Sequence, residues 1–338
     1  MAGHPVEASV GNAPVGGYGA GHMTFTHFWH TMAWPLAKLL GSLAVSLLAA
    51  NLIEALNWTR FLARFARPLI RAGHMKDVVG ASFSVAFFSG MAGNTMLAEA
   101  HQQGTITNRE LFLANLFNSL PTYFLHLPTM IFITVPFLGP AAAVYVGLTF
   151  GAAILRTLCI VLAGRFLLPV PTEECIECRL PGRGITWREA LDKSWVRFKK
   201  RITRICLITI PIYALVVALD SWGLFSKAEN FMTDHVGFMD WISPKAFSIV
   251  VFGMAAEFTA GLAAAGALLH GGELPVKEVV LALLTANILS TPARAFRHQF
   301  PYYSGIFRPG LAAALIAYSQ AFRVSSILLM TLGYAWLG

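Results

Sequence analysis

The stretch Phe88-Ser-Gly-Met-Ala-Gly-Asn-Thr95 has a counterpart much later in the chain, Phe252-Gly-Met-Ala-Ala-Glu-Phe-Thr259. Each interrupts an apolar segment with a glycine-rich polar kink. Such a kink is costly where no water reaches it, because its polar groups must find partners inside the protein. The two segments then continue in parallel. Gly104, Glu110 and Asn118-Ser-Leu-Pro121 follow the first, and Gly272, Glu278 and Asn287-Ile-Leu-Ser-Thr-Pro292 follow the second. A duplicated, interrupted membrane segment is the pattern from which a central site between two repeats is expected.

The surroundings of these segments are a bilayer by composition. Of 338 residues, 56% are hydrophobic and 12% charged, and the mean hydropathy is +0.61. A soluble domain of this size does not have that balance. Apolar runs at 34–56, 140–168, 202–222 and 303–337 each reach the roughly 20 residues that a spanning helix needs. Residues 1–24 are glycine-rich and hold no Lys or Arg, so no cleavable signal is expected there. The net charge of +8 falls mainly at the borders of apolar runs, which argues for topology and against a nucleic-acid partner. The chain carries no phosphate-binding Gly-x-x-x-x-Gly-Lys loop, no His-Glu-x-x-His and no Gly-x-Ser-x-Gly, so neither an enzyme nor a cofactor is expected.

Charge sets the orientation. Arg60, Arg64, Arg67, Arg71 and Lys76 make 57–77 basic, nine Lys or Arg make 169–204 basic, and Arg294, Arg297 and Arg308 mark 293–308. The connection 222–243 is acidic, with Glu229, Asp234 and Asp240. If every apolar run crossed, the first two basic segments would lie on opposite sides, against the positive-inside tendency. The conflict disappears when 78–104 is a re-entrant helical hairpin whose tip is Gly90-Met-Ala-Gly-Asn94. One spanning helix, one hairpin and two further spanning helices, one of them broken, then form each repeat. Three crossings per repeat make the second copy inverted. The expected fold is all-α and integral to the membrane, multi-pass in a bacterial inner membrane with both termini extracytoplasmic. Its divisions are a tail 1–24, a first repeat 25–168, a basic cytoplasmic loop 169–201 and a second repeat 202–338.

The hairpin, the Gly-Met-Ala kink and Gly104-Thr-Ile-Thr-Asn-Arg-Glu110 at the start of a broken helix resemble the Gate, or nucleoside-recognition, family. That family includes the core of ferrous-iron permeases, spore-maturation membrane proteins and relatives of concentrative nucleoside transporters. The resemblance covers most of residues 36–337. It implies an inverted-repeat permease in which hairpin tips and unwound helices meet at the bilayer centre. The chain departs from the iron permeases in lacking a GTPase domain and the hairpin cysteine of their gate region.

Candidate site residues follow from both lines. The tips offer Asn94 and Thr95 from one side, Glu257 and Thr259 from the other. Asn94 and Thr95 also suit the alternative role of capping the second arm. Glu257 is a carboxylate in an apolar segment, hence a candidate coupling group or a partner for an embedded arginine. Asn118 and Ser119 precede Pro121, while Asn287, Ser290 and Thr291 precede Pro292. They suit solute coordination or the repair of backbone that proline leaves unpaired. Arg156 and Arg323 sit mid-helix in related segments, where two guanidinium groups would suit a phosphate or carboxylate. Each would otherwise pair with Glu54, Glu99 or Glu257. Cys175 and Cys178 have zinc-ligand spacing, which a polar loop without further ligands also accounts for.

These readings converge on a permease for a small polar or anionic solute, nucleoside-like or phosphorylated, working at the bilayer midplane. The alternatives are a ferrous-iron or other divalent-metal permease, or a non-transporting scaffold. Expected partners are the lipid bilayer and the solute or ion, with a homo-oligomer or a membrane partner subunit compatible with either.

Overall fold

The computed structural model describes residues 66–170, 187–222, 243–255 and 258–337, with isolated positions between 29 and 48. Among the described residues the chain is helical, with no strand. In order, the helices are α1 (Ala66–Ala72), α2 (Asp77–Ala86), α3 (Gly90–Gln102), α4 (Asn108–Phe117), α5 (Ser119–Leu138), α6 (Ala141–Leu167), α7 (Trp187–Ser221), α8 (Pro244–Ala255), α9 (Phe258–His270), α10 (Val276–Ile306) and α11 (Pro309–Leu337). Among the described residues, three stretches are long and apolar enough to cross a membrane: 108–138 (α4 with α5), α6 and α11.

The pairs α2–α3 and α8–α9 are helical hairpins with short arms. At 1.5 Å per residue each arm is about 15–20 Å long, too short to cross the roughly 30 Å of hydrocarbon. The two pairs share local details. Gly93 on α3 lies so close to α2 that a Cβ there would sit 2.9 Å from the Ser82 carbonyl oxygen and 3.1 Å from the Ala86 Cβ. Gly261 on α9 meets the Ile249 carbonyl oxygen and the Gly253 Cα at 3.3 and 3.1 Å in the same sense. Each second arm ends on a glycine with φ +73°, Gly104 and Gly272. Past that glycine, Thr105 N donates to Ala100 O and Glu273 N to Leu268 O, both at 2.9 Å, closing equivalent C-terminal turns.

The helix that follows is tied back to the start of its hairpin in both cases. Thr107 and Glu110 form a reciprocal cap on α4, and Glu110 also pairs with Lys76 at 3.0 Å, just before α2. Glu278, in the first turn of α10, accepts from Ser243 Oγ at 2.9 Å, just before α8. The Gly104-to-Glu110 motif is therefore a turn-and-cap device: the glycine ends one helix and the glutamate starts and anchors the next.

Several expectations are revised. The turn of the first hairpin lies at Phe87-Phe88-Ser89, with Ser89 as the N-cap, accepting from Ala92 N at 3.2 Å. Gly90-Met-Ala-Gly-Asn-Thr95 is not the tip but the opening turns of α3. Gly253-Met-Ala255, by contrast, closes α8. The Gly-Met-Ala words thus stand on opposite sides of their turns, and the structural counterpart of Gly93 is Gly261. The first break is a single non-helical residue, Asn118, between α4 and α5. No second break occurs, because α10 runs unbroken through Pro292. Within the expected loop 169–201, residues 187–201 are helical, as the opening turns of α7, which continues through the apolar run to Ser221.

Two hydrophobic cores organise the helices. One gathers Ile249, Val250 and Leu262–Ala265 of the second hairpin with Phe137, Tyr145, Val279, Val280 and Ala282–Leu284. The other gathers Phe83, Phe87 and Leu97 of the first hairpin with Leu111, Phe117, Ile160, Tyr303 and Leu315. α6 and α11 serve both: Ala152 and Ile327 belong to one core, Ala153 and Ile316 to the other.

Candidate functional site

Where the two cores meet, a cavity of about 370 Å³ opens. Its wall includes Ile327 and Met130 from the side of one core and Tyr303 from the other. α3 contributes Asn94, and the α4–α5 joint contributes Asn115, Asn118 and Ser119. α6 contributes Thr149 and Arg156, α10 Asn287 and Gln299, and α11 Ser319, Gln320 and Arg323. No carboxylate is among the described lining residues, while two arginines are.

The arginines sit at the middle of their helices. Arg156 is 11 residues from the end of α6 and Arg323 is 14 from either end of α11, about 17 and 21 Å along the axis. A side chain cannot cover such a distance to reach an aqueous boundary. Arg156 is buried, 7% exposed, and donates from Nε to Ser119 Oγ and from Nη1 to Ser326 Oγ, both at 3.2 Å. Arg323 is half-buried; its carbonyl oxygen accepts from Ser326 Oγ at 2.9 Å, and its guanidinium makes no hydrogen bond or ion pair among the described residues. Glu99 is exposed and pairs with neither arginine.

Neutral amide and hydroxyl networks complete the cavity wall. Asn115 Nδ2 donates to Asn94 Oδ1 at 3.0 Å and to Tyr303 OH at 2.9 Å, and Asn94 Nδ2 donates to the same hydroxyl at 3.1 Å. Asn118 Nδ2 donates to Ser82 Oγ at 2.7 Å, and that hydroxyl donates to Gly93 O at 2.9 Å. On the other side Asn287 Nδ2 donates to Tyr145 OH at 3.1 Å, and Thr291 Oγ1 donates to Asn287 Oδ1 at 2.7 Å. Tyr303→Phe would leave two buried amide donors without their shared acceptor. It should cost about 1–3 kcal/mol, measured as a lower unfolding midpoint, whereas Tyr318→Phe at an exposed site should cost nothing measurable.

Of the expected site residues, Asn94, Asn118, Ser119, Asn287, Arg156 and Arg323 share this one cavity. Thr95 does not line it and bonds back to Met91 O at 3.0 Å. Ser290 accepts from Arg294 Nη2 at 2.9 Å, and with Thr291 it holds α10 side chains in place beside the cavity. Thr259 buries its hydroxyl with no partner among the described residues and does not line the cavity. Glu257, Cys175 and Cys178 lie outside the described residues. Sequence reasoning missed Tyr303, Gln299, Ser319 and Gln320. The pair Ser319-Gln320, one turn before Arg323 in an apolar helix, was the available signal.

The fold and cavity define a class: a protein helical throughout its described residues, with helices long and apolar enough to span a membrane and a cationic, amide-rich cavity at mid-helix. The chain is 25% identical over 276 residues to an uncharacterized protein of Methanocaldococcus jannaschii, MJ0871, covering 80% of this chain and 84% of that one. It is 21% identical over 297 residues to a second uncharacterized protein of the same organism, MJ1556, covering 84% and 87%. No family model and no solved structure matches the chain.

Proposed function

We propose that this protein is a multi-pass permease, a secondary transporter that moves a small polar or anionic solute through the cavity between two inverted repeats. The observation that carries the reading is the pair of mid-helix arginines, Arg156 and Arg323, in a wall whose described residues include no carboxylate. A guanidinium in the middle of a spanning helix is expensive and is a functional candidate by default. Here its recorded partners are neutral hydroxyls for Arg156 and none for Arg323, so the positive charge remains to be met by an anion. A bare divalent cation is the poorer cargo for the same reason.

The shared turn-and-cap details of α2–α4 and α8–α10 support a duplicated unit of the kind that the Gate resemblance implies. Three crossings per unit would invert the second copy, with the basic segment before α7 on the cytoplasmic side. Because the relatives are archaeal, the membrane proposed is a prokaryotic cytoplasmic membrane, bacterial inner membranes included. Glu257 is the proposed coupling group, and either a homo-oligomer or a partner subunit is compatible with the reading.

Purified protein screened by thermal shift against nucleosides, nucleotides, organic acids and divalent metals tests this. An anion at about 100 times its Kd should stabilise by roughly 2.7 kcal/mol, a shift of several degrees. Shifts with divalent metals alone, or none with any class together with a copurifying partner, would overturn it. Orientation has its own test. An impermeant thiol reagent applied to right-side-out cells should leave Cys175 and Cys178 unmodified, and their modification would reverse the proposed topology.

A further inference from the structure

Arginine is a long, flexible side chain, and ordering one at the moment of binding costs affinity. Two serines order Arg156 beforehand. Ser119 Oγ, at the start of α5, accepts from Nε, and Ser326 Oγ, on α11, accepts from Nη1, both at 3.2 Å. Two anchored nitrogens fix the plane of the guanidinium. Nη2 is the nitrogen left with no hydrogen-bond partner among the described residues. Arg156 lines the cavity, whereas Ser326, 5% exposed, does not.

The second contact of Ser326 prepares it for this task. Its hydroxyl donates to Arg323 O at 2.9 Å, three residues earlier on the same helix. A carbonyl oxygen can only accept, so the hydroxyl hydrogen is committed there and the oxygen lone pairs are left for Arg156. A hydroxyl also holds a guanidinium without cancelling its charge, which a carboxylate in the same place would do. We infer that Ser326 is a positioning residue for the anion: it acts through Arg156, fixing that guanidinium against α11 while leaving its charge for the solute. It touches only the backbone of Arg323, so it does not set the direction of the second guanidinium. The inference rests on the proposed anion-binding reading of the cavity and adds to it a residue outside the cavity wall.

Isothermal titration of the full-length protein with inorganic phosphate, succinate and adenosine monophosphate tests this. For whichever of the three the wild type binds, Ser326→Ala should weaken binding about tenfold. Ser326→Thr keeps a hydroxyl able to bond the carbonyl one turn back, and should stay within about threefold of wild type. The loss should also depend on the right arginine. In an Arg156→Lys background, which has neither Nε nor Nη1, Ser326→Ala should change Kd by less than about twofold. In an Arg323→Lys background it should again cost about tenfold. Ser326→Cys, similar in size but a weak acceptor, should behave as the alanine variant and replaces it if that variant does not fold. Wild-type affinity in Ser326→Ala, equal loss in the alanine and threonine variants, or equal loss in both lysine backgrounds overturns the inference and leaves the anion site standing. Binding of none of the three anions by the wild type overturns the anion reading itself, and the inference with it.

Discussion

Arg156→Met and Arg323→Met are each expected to abolish anion binding without lowering the melting temperature. The two halves of this result have different causes. Truncating one partner of a buried charge-assisted contact costs about 2–5 kcal/mol of binding, or roughly 30-fold to several thousand-fold in Kd. The stability of the empty protein behaves otherwise. Arg156 is buried with two serine hydroxyls as its recorded partners, and keeping a guanidinium out of water has an effective cost of several kcal/mol. Methionine fills similar space, bends to fit and needs no solvation. The unliganded variants should therefore melt at the same temperature or higher, and the ligand-induced shift should vanish. Arg156→Lys should not restore binding fully, because an ammonium lacks the planar fork that meets an oxyanion with two parallel bonds. Variants that unfold when the charge is removed would mark the arginines as structural ties.

Gly164→Leu should prevent the protein from packing. A Cβ at that position would lie 2.5 Å from the Gly73 carbonyl oxygen, and the obstacle is backbone. Gly73 cannot retreat easily. Its N–H bonds to Leu69 O at 3.0 Å, and Met75 N bonds to Ile70 O at 3.1 Å across a turn in which His74 already has φ +50°. Overpacking of this kind costs about 1–3 kcal/mol for small additions, and leucine adds three more carbons than alanine would need to clash. The expected readout is loss of monodisperse protein on size exclusion, with Gly164→Ala intermediate. Gly147→Ala on the same helix is the control. Nothing lies within 4 Å of its Cβ, and removing a mid-helix glycine should be neutral or stabilising by up to about 1 kcal/mol. A normal melt for Gly164→Leu would show that α6 and the turn after α1 are not pressed together.

What was legible in the sequence was what is expensive. Charges in apolar runs stand out because few sites tolerate them, and Arg156 and Arg323 do share one cavity. The run 140–168 became α6, and most of 303–337 became α11, which starts at Pro309 after the polar step at Phe307-Arg308. Gly104 and Gly272, set side by side from the sequence, both take φ +73°, a value that singles out glycine. The register of the hairpins was not legible. Gly-Met-Ala is compatible with either side of a turn, and the close approach that distinguishes Gly93 and Gly261 exists only once the arms have packed. Neutral partners were equally silent. Tyr303 and Gln320 cost little in an apolar helix, so nothing local announced them, and the partners of Tyr303 lie more than a hundred residues away. Pro292 did not end a helix, which proline in spanning segments often fails to do when neighbours satisfy the freed backbone.

The contact of Gly93 with α2 has a mechanical meaning. The Ser82 hydroxyl clamps Gly93 O, and Asn118 clamps Ser82. Through Asn94 the same arm is fastened to Asn115 and Tyr303. The first hairpin, the α4–α5 joint and the end of α10 are thus geared together. A displacement of the hairpin large enough to open the cavity must either drag the joint and Tyr303 along or strip those bonds one after another. Motion of that wall is a single stroke of several helices, and the swing of one arm alone is blocked.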